Sequence, residues 1–337
     1  MKQPIFAGVD VGGTNTKIGI ITEDGTVISS GKFPTGPNLA PSHCLDNANQ
    51  MIRELIQDSG LQYTDLAAVG LATPGPMDIP NGIVLTPFNL PGWRNTDVRE
   101  ILSNSTQRQV AFANDAGAAA YGEFWVGSGR HFDSIVLITL GTGVGGGIII
   151  DGFSIDGFHS HGSEIGHMIV DTKDDARRCS CGGAGHLEAY ASATGLVARC
   201  SDALTAGATS SLREMISDAS PLSALMIFQA AEQGDQFAHE QVMETASYLA
   251  EGIVSLIHII DPQAILLGGA MDFGGMESQT GRAFVQQIYD RARPKCLPML
   301  ADKLTIEFAN LGSDAGFIGA AGLARKMHFS QTTTPTV

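Results

Sequence analysis

The sequence predicts an α/β fold made of two related halves that face each other across a cleft. Three observations predict it. A strand, a glycine-rich turn, a second strand and an Asp-Gly turn occur in that order near the N-terminus and again near the middle of the chain. Laying Gly12 over Gly141 aligns the two copies, with Asp24-Gly25 about two residues further along than Asp151-Gly152. The C-terminal half, by contrast, has helical spacing over long stretches.

Taken in order, residues 5–9 form a short apolar strand that enters Asp10-Val11-Gly12-Gly13-Thr14-Asn15-Thr16-Lys17. Residues 18–21 resume as strand, Asp24-Gly25 turns the chain, and 26–33 follow as the next strand. No helix follows the glycines, so they are not a dinucleotide fingerprint, and the Gly-Lys-Ser/Thr ending of a P-loop is absent. Small residues between two strands suit a hairpin whose backbone N–H groups cradle a phosphate. After a polar linker, 45–57 has helical spacing. Residues 66–71 read as a buried strand ending in Ala72-Thr73-Pro74-Gly75-Pro76, 110–113 as another, and 116–124 as a small-residue helix.

The second copy has its strand at 135–140, its glycine turn at 141–147 and its return strand at 148–150. Residues 194–205 and 222–233 are amphipathic, and 236–260 form one long helix broken by Asp261-Pro262. The strand 264–267 runs into Gly268-Gly269, where missing side chains let a flat ring or a ribose lie against the backbone; a plain strand-to-helix turn has the same pattern. Residues 310–316 lead into a small-residue helix ending near Lys326, and 327–337 are expected to be a disordered tail.

Composition excludes several classes of function. The net charge of −15 argues against general binding to nucleic acid or membrane, though backbone N–H groups and a divalent cation can still hold phosphates. No apolar run approaches the ~20 residues of a membrane span. The five irregularly spaced cysteines predict a reducing, cytoplasmic setting, and the short lead-in to the first strand predicts no signal peptide.

Residues 164–188 are rich in groups that bind metals. After Glu164-Ile165-Gly166-His167 comes a strand-like run at 168–171, then a polar loop, then Cys179-Ser180-Cys181-Gly182-Gly183-Ala184-Gly185-His186-Leu187-Glu188. Zinc takes four N or S ligands, so Cys179, Cys181 and His186 need one more, and His167 is the best placed; His159 and His161 are alternatives nearby. The bland reading is a loop with two inert cysteines. With a metal, the loop is clamped so that Glu164, His167 and Glu188 face a polar ligand, and the metal itself does no chemistry.

These stretches together resemble the ROK family of sugar kinases and repressors, specifically its bacterial glucokinases. The resemblance rests on 10–17, 70–76, Phe88-Asn89-Leu90-Pro91-Gly92-Trp93, Asn114-Asp115-Ala116, 140–147, 164–167, 179–188, Gly268-Gly269 and 311–322, in the family's order along nearly the whole chain. It implies an actin-like, ribonuclease-H-like duplicated α/β fold with two domains around a cleft. The small domain is expected at 1–116, completed by the helix at 312–326, and the large domain at 117–311 with the zinc motif. It also implies ATP-dependent phosphorylation of glucose to glucose 6-phosphate, with Mg²⁺ and a structural Zn²⁺, by a cytoplasmic enzyme expected to be a homodimer. One departure is visible: His186 stands where the family ordinarily has a third cysteine, and histidine is also a zinc ligand.

On this resemblance each site residue acquires a role. A sugar hydroxyl has a very high pKa, so phosphoryl transfer to it benefits from a base. Asp115 is the candidate, although an Asp before a helix read alone is equally an N-cap. Asn89 and Asn114 would hydrogen-bond sugar hydroxyls, as would Glu164 and Glu188. His167 would give one nitrogen to zinc and the other to the sugar. Backbone N–H groups of Gly12, Gly13 and Thr14, and of Gly141, Thr142 and Gly143, would hold the β- and γ-phosphates. Asp10 would hold Mg²⁺ through water, and Trp93 is expected in the core. Kinases for N-acetylglucosamine, N-acetylmannosamine or fructose share these contacts, and a polyphosphate donor is not distinguished from ATP. A non-catalytic sugar sensor would lack the Asp115 base. A repressor would need an N-terminal DNA-binding domain, for which a strand starting at Ile5 leaves no room.

Overall fold

In the first repeat the apolar run extends to both sides of the glycines. Strands β1 (Ile5–Val11) and β2 (Asn15–Thr22) pair antiparallel, which leaves only Gly12, Gly13 and Thr14 in the turn. The computed structural model describes residues 3–36, 38–217 and 220–332. Beyond the turn at Asp24, β3 (Val27–Pro34) pairs with β2, and helix α1 (Pro41–Asp58) begins with proline in its first turn, where no N–H is needed. The polar linker expected after β3 is therefore partly helix. β4 (Leu66–Thr73) lies parallel to β1. The short strands β5 (Met77–Asp78), β6 (Ile83–Val84) and β7 (Thr96–Asp97) form a small separate sheet before α2 (Val98–Thr106). β8 (Val110–Asn114) then pairs parallel with β4, and α3 (Asp115–Trp125) follows at once.

The second repeat places β9 (Ser134–Leu140) and β10 (Val144–Ile150) around Gly141, Thr142 and Gly143 alone, with the short β11 (Phe153–Ser154) next. The glycine turn expected over 141–147 is shorter because Gly146 and Gly147 are strand residues in close contact. A Cβ on Gly146 would come within 2.3 Å of Ile165, and one on Gly147 within 2.4 Å of Ala120. The helical half supplies α4 (Glu188–Ala191), α5 (Ala193–Thr205), α6 (Leu212–Met215), α7 (Ala224–Glu232) and α8 (Gln236–Ile260). It continues with β12 (Ala264–Gly268), α9 (Gln279–Ala292), α10 (Pro298–Ala301), β13 (Ile306–Phe308) and α11 (Ala315–Thr332). The run at 168–171 is not a strand; Ile169 makes a single bridge to His186.

The duplication is visible in the sheets. The first has the order β3-β2-β1-β4-β8 and the second β11-β10-β9-β12-β13. In both, the fourth strand is parallel to the first and the fifth parallel to the fourth. The fold is α/β and duplicated, as expected. The chain divides into one unit of Met1–Asp133, Gly147–Ser163 and Ser313–Val337, and another of Ser134–Gly146 and Glu164–Gly312.

In the first unit one face of the sheet is covered by α1 and α2, with Val9, Ile18, Leu45, Ile52, Leu71 and Leu102 in one apolar cluster. Trp93 belongs to it, fully buried, and its indole N–H has no partner among the described residues. The other face takes α11. Gly8 and Gly70 let that helix approach the strands: a Cβ on either would sit 1.8 Å from the carbonyl oxygen of Phe317 or Ala320. α11 runs to Thr332, past the end expected near Lys326, because His328 and Phe329 still pack on Phe6. The tail expected to be disordered is thus helical over its first residues, and 333–337 lie outside the described residues.

Candidate active site and metal centre

In the first unit, the hairpin turn is held from within and from behind. The Gly12 N–H donates to Asn15 O at 3.0 Å, so it is committed to the turn rather than to a ligand. Behind the turn, the Thr35 N–H donates to Thr14 O at 2.9 Å and its hydroxyl to Gly12 O at 2.7 Å. Thr35 was not among the candidates, because an isolated threonine after a strand carries no pattern. Asn89 sits beside the turn: a Cβ on Gly13 would come within 3.1 Å of the Asn89 Cβ.

Asp10, the last position of β1 but one, is register partner of Lys17 on β2. Burial first, then the negative charge of Asp115, raise the Asp10 carboxyl to about 7, against the opposing pull of Lys17. Lys17 donates to Ser313 O at 2.6 Å and lies 3.9 Å from Asp314. Gly316 in the first turn of α11 gives the Asp10 carboxylate its room, since a Cβ there would come within 2.3 Å of Oδ2. The site fits a hydrated divalent cation: a carboxylate whose ionised form is disfavoured by burial and by a second carboxylate gains from a positive charge.

Asp115 does not cap its helix. The N-cap of α3 is Asn114, whose Oδ1 accepts from Ala116 N at 2.9 Å and Gly117 N at 3.1 Å. Asp115 is the first helical residue, and its Oδ1 accepts from Ala116 N at 2.9 Å. The two neighbours have therefore divided the roles. Asn114 has its carbonyl engaged in the cap, leaving its amide N–H₂ as donor, and Asp115 carries the charge that Asp10 feels.

In the second unit, the Gly141 N–H donates to Gly143 O at 3.0 Å, again within its own turn. The Ala193 N–H donates to Gly141 O at 2.8 Å, and the Thr194 hydroxyl to Thr142 O at 2.8 Å. Like Thr35, these residues brace the turn through its carbonyls. Glu188 spans from the turn to the cysteine loop. Its Oε2 accepts from Val144 N at 3.0 Å, and its Oε1 from the Ser180 hydroxyl at 3.0 Å and the Cys179 thiol at 3.4 Å. Gly143 is glycine because a Cβ would stand 2.4 Å from Glu188 Oε2.

The four expected metal ligands meet. One ligand atom each from His167, Cys179, Cys181 and His186 lie within 4.8 Å of one another; His159 and His161 lie outside this group. His167 Nδ1 and His186 Nδ1 are 3.3 Å apart, Cys181 Sγ is 3.3 Å from His186 Nδ1, and Cys179 Sγ is 3.9 Å from His167 Nδ1. A tetrahedron with Zn–N of about 2.0–2.1 Å and Zn–S of about 2.3 Å has edges of about 3.3–3.8 Å, so the set fits zinc. The glycines serve this geometry. Gly182 and Gly185 have φ of +93° and +76°, and a Cβ on Gly183 would come within 2.5 Å of the His186 ring. With Nδ1 of His167 in the cluster, Nε2 points the other way and lies 3.9 Å from Glu164 Oε2. Gly268 and Gly269 each have a packing reason to be glycine: Gly269 has φ +94° and would put a Cβ 2.2 Å from Leu140 O, while a Cβ on Gly268 would come within 3.1 Å of Ala309.

Comparison with known proteins follows the same lines. The sequence profile of the ROK family matches residues 6–327. The chain is 33% identical over 330 residues to a glucokinase of Halalkalibacterium halodurans, covering 98% of each chain. Among solved structures it is similar to a ROK hexokinase from Thermus thermophilus, with TM-score 0.81, 27% identity and coverage of 97% of this chain and 99% of the other. It is also similar to a ROK family glucokinase from Streptomyces griseus in complex with glucose and AMPPNP, with TM-score 0.75, 30% identity and coverage of 96% and 99%.

Proposed function

The chain belongs to the ROK family, and from that premise we propose that it transfers the γ-phosphoryl group of ATP to the C6 hydroxyl of glucose, with Asp115 as general base. The observation that carries this is the division of labour at the start of α3. Asn114 is the N-cap, and Asp115, the first helical residue beside it, places a carboxylate whose charge reaches Asp10. Similarity to glucokinases along the full chain, one of them solved with glucose and an ATP analogue, supports the choice of substrates.

The step is a phosphoryl transfer. Asp115 takes the C6 hydroxyl proton, the oxygen forms a bond to the γ-phosphorus, and the bond to the β-phosphate oxygen breaks to leave ADP. In the first unit, the N–H groups of Gly13 and Thr14 hold phosphate, and Asp10 is the residue that would hold a hydrated Mg²⁺. When bound, the cation would supply positive charge to offset that of the phosphates. In the second unit, the N–H groups of Thr142 and Gly143 are the corresponding phosphate donors. The sugar donors of the first unit are Asn89 and the Asn114 amide; the sugar acceptors of the second unit are Glu164 and Glu188. His167 Nε2 faces the sugar while its Nδ1 would bind zinc with Cys179, Cys181 and His186. With all four zinc positions supplied by protein, the role would be structural, holding the His167 ring and the backbone leading to Glu188 in place.

The test is a coupled assay of ADP release with glucose, N-acetylglucosamine, N-acetylmannosamine and fructose. The expected result is the highest kcat/KM with glucose. A higher value with any of the others would reassign the substrate, and no ADP release with any hexose would overturn the reading.

A further inference from the structure

We propose that Thr35 is a positioning residue for the phosphoryl donor, the last member of a buried hydrogen-bond chain that orients and polarises the Gly12–Gly13 peptide. This rests on reading Gly12, Gly13 and Thr14 as a phosphate-holding turn. The chain starts in α1 and ends on the turn. Cys44 and Thr35 are each 1% exposed and Thr16 is fully buried. Cys44 Sγ lies 3.4 Å from Thr16 Oγ1, Thr16 Oγ1 lies 2.9 Å from Thr35 Oγ1, and Thr35 Oγ1 lies 2.7 Å from Gly12 O.

The direction of the chain follows from counting protons. A carbonyl cannot donate, so the single Thr35 hydroxyl proton points at Gly12 O. Thr35 Oγ1 must then accept from Thr16, and Thr16 Oγ1 is left to accept from the Cys44 thiol. Every donor thus points toward the turn, the arrangement in which successive hydrogen bonds strengthen one another.

The consequence lies on the other end of the same peptide group. The Gly12 carbonyl and the Gly13 N–H share one amide. Charge drawn to the oxygen by Thr35 makes the Gly13 N–H a stronger donor, and Gly13 N–H is the first amide in the turn not committed within it, since Gly12 N–H is taken by Asn15 O. Thr35 also pins the far end of the turn, its own N–H donating to Thr14 O at 2.9 Å. One buried residue therefore holds both flanking carbonyls, fixing the orientation of the N–H groups between them before nucleotide arrives.

The experiment titrates the ¹⁵N-labelled full-length protein with Mg–AMPPNP and, separately, with adenosine, following the Gly13 amide resonance. In the wild type the Gly13 amide is expected to move with Mg–AMPPNP and not with adenosine. Thr35→Val, close in shape but without the hydroxyl, should lower AMPPNP affinity by about fivefold and shrink the Gly13 shift, leaving adenosine and glucose affinity unchanged. Thr35→Ser should restore both. A full Gly13 shift with unchanged AMPPNP affinity in Thr35→Val would overturn the proposal while leaving the turn as the phosphate site. A wild-type Gly13 amide that ignores AMPPNP would instead overturn the underlying reading of the turn. If Thr35→Val fails to fold, Thr16→Val decides: reduced AMPPNP affinity with intact glucose affinity supports the chain, and unchanged affinity overturns it.

Discussion

Asp10 and Asp115 act on each other electrostatically: after burial, the Asp115 charge is the main reason the Asp10 carboxyl is raised to about 7. Two carboxylates held at such a cost are arranged for something positive to come between or beside them.

The first prediction follows from the sign of that shift. An unfolded Asp ionises near 3.8, whereas the folded Asp10 holds its proton up to about 7. Between those values the native state binds more protons, so its contribution to stability falls as pH rises, and the penalty is complete above 7. Without Mg²⁺, Asp10→Asn is therefore expected to raise Tm by at least about 2 °C at pH 8 and to change it little at pH 4. Equal shifts at the two pH values, measured by calorimetry in EDTA, would contradict the assigned cause.

Glu188 accepts on both oxygens, from Val144 N on one and Ser180 on the other. Glu188→Gln puts an N–H₂ where one of those donors points. The expected result is a glucose KM raised by at least about tenfold with zinc retained. An unchanged KM would remove Glu188 from the sugar site.

The proposed metal centre would bind zinc through two thiolates and two neutral imidazoles, giving it no net charge. Elemental analysis is expected to find one zinc per chain. Cys179→Ser or Cys181→Ser should raise KM for glucose far more than KM for ATP, and His186→Cys should keep both metal and activity. A zinc-free protein with unaltered glucose KM would leave the four residues without a metal role.

The sequence was most informative where one residue type did one job. The glycine turns, the four candidate ligands around the cysteine loop and helix α8 are legible because spacing and turn chemistry are local. Glycines with two uses were harder. Gly146 and Gly147 looked like turn, yet they are strand residues made small by Ile165 and Ala120, which come from distant parts of the chain. Thr35, Ala193 and Thr194 brace the turns through backbone carbonyls, a role any sequence position can fill and only tertiary structure reveals. Asp115 read alone was equally base or N-cap, and the hydrogen bonds to Asn114 Oδ1 assign the cap to its neighbour. The strands β5, β6 and β7 were missed because two residues have no periodicity to read.

The most direct test of the account is the kcat of Asp115→Ala measured alongside its glucose affinity. With Asp115 as the base, kcat is expected to fall by about 10²–10⁴ while glucose still binds, because the proton has lost its acceptor but the sugar has not lost its site. A variant that keeps more than a tenth of the wild-type kcat would contradict the central claim and leave Asp115 as a first-turn helix residue.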